Sequence, residues 1–271
     1  REIEIEKFKS EEYWTISSDF KDENGSLIQA NLSMVNNEKV EKFSFKDSDT
    51  TNKISSELEQ KEYHVTSVTS QKRNRNPYAP FTTSTLQQSA STNLRISPRD
   101  VMSTAQKLYE AGLITYMRTD GIEMAPEGIS SARNQISDLL GDTYLPEKPR
   151  VFKNKAKNAQ EAHECIRPTD FSKTPENAKN LNKSELDLYG LIWKRALASQ
   201  ARAAEVLQTT VLISSSCNSA QFRLSGQVVT FEGHLKIFQD TKKEDDEKRI
   251  PDIREKSKMK LEQINKEQHF T

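Results

Sequence analysis

Three side chains in the string Gly112-Leu113-Ile114-Thr115-Tyr116-Met117-Arg118-Thr119-Asp120 are of types that could do chemistry together. In an extended chain alternate residues point the same way, so Tyr116, Arg118 and Asp120 share one face while Thr115 and Met117 point to the other. A phenol titrates near 10, so only about one in a thousand is ionised at neutral pH. A neighbouring guanidinium favours the phenolate and stabilises charge building on a phosphoryl group under attack. Arginine suits the task because its planar fork grips two phosphate oxygens and never loses its charge. A tyrosine so placed can carry covalent catalysis on a phosphodiester. The same spacing also describes a half-buried strand with a snorkelling arginine, and spacing alone leaves both open.

Strong local signals flank the string. Ser97 precedes Pro98 and is followed three positions later by Asp100, which reads as an N-cap, a first-turn proline and a capping box; Gly112 then supplies a left-handed stop. The pattern predicts a helix over about 98–111. A second helix is predicted from Pro126 to Leu140, with Ile129, Ile136 and Leu140 apolar and Gly141 ending it. A third, over about 184–201, carries Leu188, Leu191, Ile192 and Ala196 at three- and four-residue spacing. The N-terminal third instead alternates at Tyr13–Ile16, Leu27–Leu32 and Tyr63–Val68, with the hairpin signal Asn24-Gly25, and reads as mostly β. Period two returns after about residue 204, at Val206–Ile213, Gln221–Leu224 and Val228–Phe231. The class is therefore α+β: a mostly β region interrupted by a helical insertion over about 76–203.

Composition supports an open, multi-domain chain. Of 271 residues 34% are apolar and 30% charged, against about 45–50% apolar for an average globular chain. One large core is excluded, and the periodic segments exclude global disorder. The 40 basic and 40 acidic residues cancel, but unevenly: residues 72–118 hold seven basic against two acidic, and 147–168 six against three, with Lys148, Arg150, Lys153, Lys155 and Lys157 in one run. Such blocks attract phosphate, although a lysine-rich loop is more often simply a solvated surface. No segment has the roughly 18 apolar residues of a membrane span, and no leader pattern opens the chain, so it reads as soluble and intracellular. Cys165 and Cys217 are isolated, which indicates neither a disulfide framework nor a thiolate zinc site. No metal ligands are assigned. Beginning at Arg1, the sequence reads as a piece of something larger.

The nine-residue string resembles the active-tyrosine segment of the type IA DNA topoisomerases, notably their bacterial members. Other segments resemble the same family in the same order. Arg1-Glu2 with Phe8 and Glu12-Tyr13-Trp14 looks like the start of its second domain. Pro80–Gln88 looks like the start of its tyrosine domain, and Gln160–Thr169 like its histidine motif. Phe231-Glu232-Gly233 and Gln268–Thr271 look like the path back out. Gly121 stands where the family usually has serine, Cys165 where alanine is usual and His234 where an aromatic is usual.

The resemblance implies Tyr116 as nucleophile, Arg118 as phosphate clamp and His163 as a phosphate-positioning donor, with Asp120 orienting Arg118. Ser84, Gln88, Arg99 and Arg167 either bind DNA backbone phosphates or cap and solvate helices. It further implies residues 1–10 as a strip of domain IV and 11–75 and 204–240 as a β arch, domain II. Residues 76–203 would be a winged-helix-like domain III carrying the tyrosine, and 241–271 a linker with a second strip of domain IV. The helical domain would act as a lid with hinges near 70–80 and 200–206. The expected partners are single-stranded and negatively supercoiled DNA and the rest of the same polypeptide, in a monomer of the bacterial cytoplasm and nucleoid. The expected cofactor is Mg2+, held by a Toprim domain this sequence lacks, so relaxation of supercoils by these 271 residues alone is not expected. A non-catalytic single-stranded-DNA-binding module, or an interaction domain whose tyrosine segment is only a core strand, are the competing readings.

Overall fold

The computed structural model describes residues 8–23, 25–153, 164–239, 250–251 and 253–271. The chain divides into two units, one of residues 1–72, 207–228 and 246–271 and the other of residues 73–206 and 229–245. It is a mixed α/β protein with one large sheet.

The first unit is organised by alternation. In β1 (Glu12–Lys21) Ile16, Ser18 and Phe20 are buried in turn, and in β2 (Leu27–Val35) Ile28, Ala30 and Leu32 are. Gly25, at φ 85°, turns one strand into the other, a conformation that suits a residue without Cβ. β3 (Glu38–Lys39), β4 (Tyr63–Arg75), β5 (Ala204–Ser215), β6 (Ala220–Phe231) and β7 (Lys258–Phe270) complete a seven-stranded sheet in the order β1-β7-β4-β5-β6-β2-β3. Because β1 pairs antiparallel with β2 as well as with β7, six strands close into a ring, leaving β3 on the margin. Closure removes the open edges that invite pairing with other chains. Phe20, Tyr63 and Phe222 meet edge to face inside, with centroids 5.1–5.6 Å apart.

β7 pairs with β1 from Glu12↔Phe270 to Lys21↔Lys260, with a register shift between Asp19 and Phe20. The N-terminal third also contains a helix, α1 (Ser48–Glu59), capped by the Asp47 carboxylate accepting from the Thr50 amide. Its inward residues are Thr51, Ser55 and Leu58, which give almost no apolar periodicity to read.

The second unit packs α2 (Thr83–Leu94), α3 (Pro98–Glu110), α4 (Pro126–Leu140) and α5 (Lys183–Ser199) around Leu86, Val101, Ala105, Leu108, Ile136 and Ile192. The predicted ends of α3 are observed: the Ser97 hydroxyl accepts from the Asp100 amide, and Gly112 adopts φ 69°. α2 was not legible from periodicity, yet Thr82 and Thr85 cap it reciprocally. Among the described residues no helix is long and apolar enough to cross a membrane.

Candidate active site

The tyrosine segment is held by its backbone on two sides. On one, the Thr115 amide donates to the Arg167 carbonyl (2.9 Å) and the Thr169 amide to the Leu113 carbonyl (3.0 Å). The Thr115 hydroxyl donates to the Cys165 carbonyl (2.7 Å) and accepts from the Arg167 amide (3.0 Å). On the other, Thr83 at the start of α2 donates its amide to the Thr119 carbonyl (2.9 Å) and its hydroxyl to the Met117 carbonyl (2.8 Å). The same hydroxyl accepts from the Thr119 amide at 2.9 Å. Such bonds replace the regular ladder that the segment lacks.

Between these anchors the side chains alternate. Ile114, Met117 and Thr119 are buried, whereas Tyr116, Arg118 and Asp120 are exposed; Tyr116 keeps 47% of its surface open. The buried Met117 and Thr119 thus alternate with exposed Tyr116, Arg118 and Asp120. The Tyr116 ring meets that of Tyr109 edge to face, with centroids 5.4 Å apart and planes at 66°. Tyr109 lies in the last turn of α3 and is 41% exposed.

Ser84 and Gln88 are exposed one turn apart on α2, and Arg99 is exposed in the first turn of α3. His163 lies outside the described residues, as do Lys155 and Lys157 of the basic run. Arg167 faces the interior instead of the surface: its side chain is 7% exposed. Its Nε donates to Glu164 Oε1 (2.5 Å) and a terminal nitrogen to the Pro168 carbonyl (2.9 Å). Glu164 Oε1 also accepts from the Ala125 amide (2.9 Å), tying the segment of Arg167 to the start of α4. A Cβ at Gly128 on α4 would stand 2.6 Å from Arg167 Nε. The Arg167 guanidinium is thus engaged by Glu164 and the Pro168 carbonyl, with the exposed Glu127 carboxylate 3.8 Å from a terminal nitrogen.

Neighbouring groups are tuned by burial. The Cys165 thiol is pushed up to about 12, first by burial and then by Glu164. His234, 4% exposed, is held down to about 4 by burial and by the positive charge of Arg75, Arg150 and Arg195. Among the described residues no group of three or more His, Cys, Asp or Glu side chains could hold a metal ion.

An exposed tyrosine and arginine on a braced segment of a helical unit, in a chain that also forms a closed sheet, define a class of protein that comparison identifies. The family model described as DNA topoisomerase matches residues 1–271, and the chain belongs to that family. It is 40% identical to DNA topoisomerase 1 of Rickettsia felis, over all of this chain and 36% of that protein. It is likewise 40% identical to DNA topoisomerase 1 of Zymomonas mobilis, over all of this chain and 23% of that protein. The structure of full-length topoisomerase I from Thermotoga maritima superposes with a TM-score of 0.76 at 30% identity, covering all of this chain and 42% of that one. The chain thus spans about a third of the length of its relatives.

Of the residues that matter locally, Tyr109, Thr83 and Gly128 were not singled out from the sequence. Thr83 follows a cap-forming Thr82 and was findable; the other two depend on contacts across a turn and between elements.

Proposed function

We propose that this chain is the tyrosine-bearing part of a type IA DNA topoisomerase and that Tyr116 breaks one DNA strand. The Tyr116 oxygen attacks a backbone phosphorus and its proton passes to solvent. The bond from phosphorus to the 3′ oxygen breaks, and that oxygen leaves with a proton. A 5′-phosphotyrosine and a free 3′ hydroxyl result, and the reverse attack reseals the strand after another segment has passed. The ester conserves the energy of the broken bond, so no nucleotide is consumed. Arg118 holds the phosphate oxygens, Asp120 orients Arg118, and His163 donates to the phosphate. Ser84, Gln88 and Arg99 bind adjacent phosphates, while Arg167 acts from the interior.

The observation that carries the reading is that Tyr116 and, two residues on, Arg118 are both exposed, on a segment in which Met117 and Thr119 are buried. A core-strand tyrosine would have its hydroxyl walled in, so the interaction-domain reading loses its premise. The substrates follow as single-stranded and negatively supercoiled DNA in the bacterial cytoplasm. Mg2+ is supplied by the Toprim region of the same polypeptide. The finer architecture, a winged-helix-like lid hinged on a β arch, belongs to this proposal.

The test is covalent capture. With the Toprim region and Mg2+ supplied, end-labelled single-stranded DNA becomes linked to the protein, and Tyr116→Phe abolishes the link. An adduct that survives Tyr116→Phe overturns the assignment. DNA binding that falls steeply with salt but never yields an adduct in the assembled enzyme leaves the non-catalytic module in its place.

A further inference from the structure

Tyr109 has no explanation in the packing of its own helix. α3 turns Val101, Ala105 and Leu108 inward, and Tyr109 stands beside that stripe with 41% of its surface open. What it meets is Tyr116, edge to face at 5.4 Å.

The two residues are joined by a rigid turn. Gly112 reverses the chain, its amide donating to the Tyr109 carbonyl (2.8 Å), and the Leu113 amide donates to the Leu108 carbonyl (2.9 Å). The Thr115 and Met117 backbones on either side of Tyr116 are anchored to Arg167 and Thr83. The backbone of Tyr116 is thus fixed, and the freedom left to its phenol is rotation about its own side-chain bonds. The Tyr109 ring occupies one side of that freedom.

We propose that Tyr109 is a positioning residue that holds the Tyr116 ring in the orientation from which its oxygen reaches phosphorus. The inference rests on the nucleophile assigned above. The ring makes the contact, so the ring and not the Tyr109 hydroxyl is required. Edge-to-face pairs contribute an energy equivalent to about a 3- to 10-fold rate factor when felt at the transition state. Binding of DNA need not change, because loss of orientation is felt at the reacting atom.

The experiment uses the full-length enzyme with Mg2+ and a single-stranded oligonucleotide, measuring single-turnover cleavage against DNA concentration. Tyr109→Leu is expected to lower the maximal rate about 3- to 10-fold with half-saturation unchanged, and Tyr109→Phe to restore it. The exposure of Tyr109 favours folded variants; Tyr109→Gln serves in place of Leu should that variant misfold. Wild-type rates in Tyr109→Leu, a defect confined to half-saturation, or an equal defect in Tyr109→Phe would each overturn the proposal. A second readout is independent of cleavage: with fluorotyrosine at position 116, Tyr109→Leu shifts its fluorine resonance, and an unchanged resonance overturns the contact. Tyr116→Phe is run beside these. An adduct persisting there overturns the nucleophile, whereas an unmoved fluorine signal overturns Tyr109.

Discussion

Gly128→Ala is the most informative single substitution in the brace behind the tyrosine. A Cβ there lies 2.6 Å from Arg167 Nε, 2.8 Å from Cζ and 3.1 Å from Cδ, all inside ordinary contact. The guanidinium must move by about 1 Å, and it is not a free end, being bonded to Glu164 and the Pro168 carbonyl. Two hydrogen bonds to a charged donor, each contributing about 1.5–3 kcal/mol, are stretched or lost. Against this, alanine gains up to about 1 kcal/mol over glycine in a helix. The net expectation is a loss of about 2–4 kcal/mol. Urea unfolding followed by Trp193, which is buried in the helical unit, measures it in a Trp14→Phe background. In an Arg167→Met background the same Gly128→Ala change is expected to cost far less, because the clashing group is gone. If Gly128→Ala matches or exceeds wild-type stability, the packing argument for Arg167 is wrong.

Two further outcomes follow from titrating groups. His234 keeps its folded value at about 4 while the unfolded ring titrates near 6.5. Between those values the unfolded chain binds more protons, so stability is present above about 6.5 and is lost as pH falls toward 4. The loss reaches at most about 3 kcal/mol. Urea midpoints for wild type and His234→Gln measured from pH 7 to 4.5 would show a steeper decline in wild type, and parallel curves would refute it. Cys217, exposed and lowered to about 6 by hydrogen bonds to Ser219 and Ser215 with Lys61 nearby, should alkylate with iodoacetamide in the native protein near neutral pH. Buried Cys165 should react only after unfolding, and mass spectrometry of both peptides decides it.

The parts of this chain legible in its sequence are those decided within a few residues. Ser97, Pro98 and Gly112 mark the ends of α3 because capping and left-handed turns are local events. Alternation from Tyr116 to Asp120 was readable in the sequence, and burial follows it there, with Met117 and Thr119 buried and Tyr116, Arg118 and Asp120 exposed. α1 and α2 escaped because Ser, Thr and Gln dominate them and weaken the apolar stripe that signals a helix.

The sequence by itself carried the alternation that leaves Tyr116, Arg118 and Asp120 exposed, and its motif order resembled one family along nearly the whole chain. Tertiary structure alone decided what encloses them. Ring closure joins β1 to β7 across about 250 residues, a pairing that no local signal specifies. Whether an arginine meets DNA or the interior depends on what faces it: Arg99 is open, while Arg167 is enclosed by Glu164, Pro168 and the bare backbone of Gly128. Charge and residue type are written in the chain, but solvent access is a property of the neighbours that folding brings.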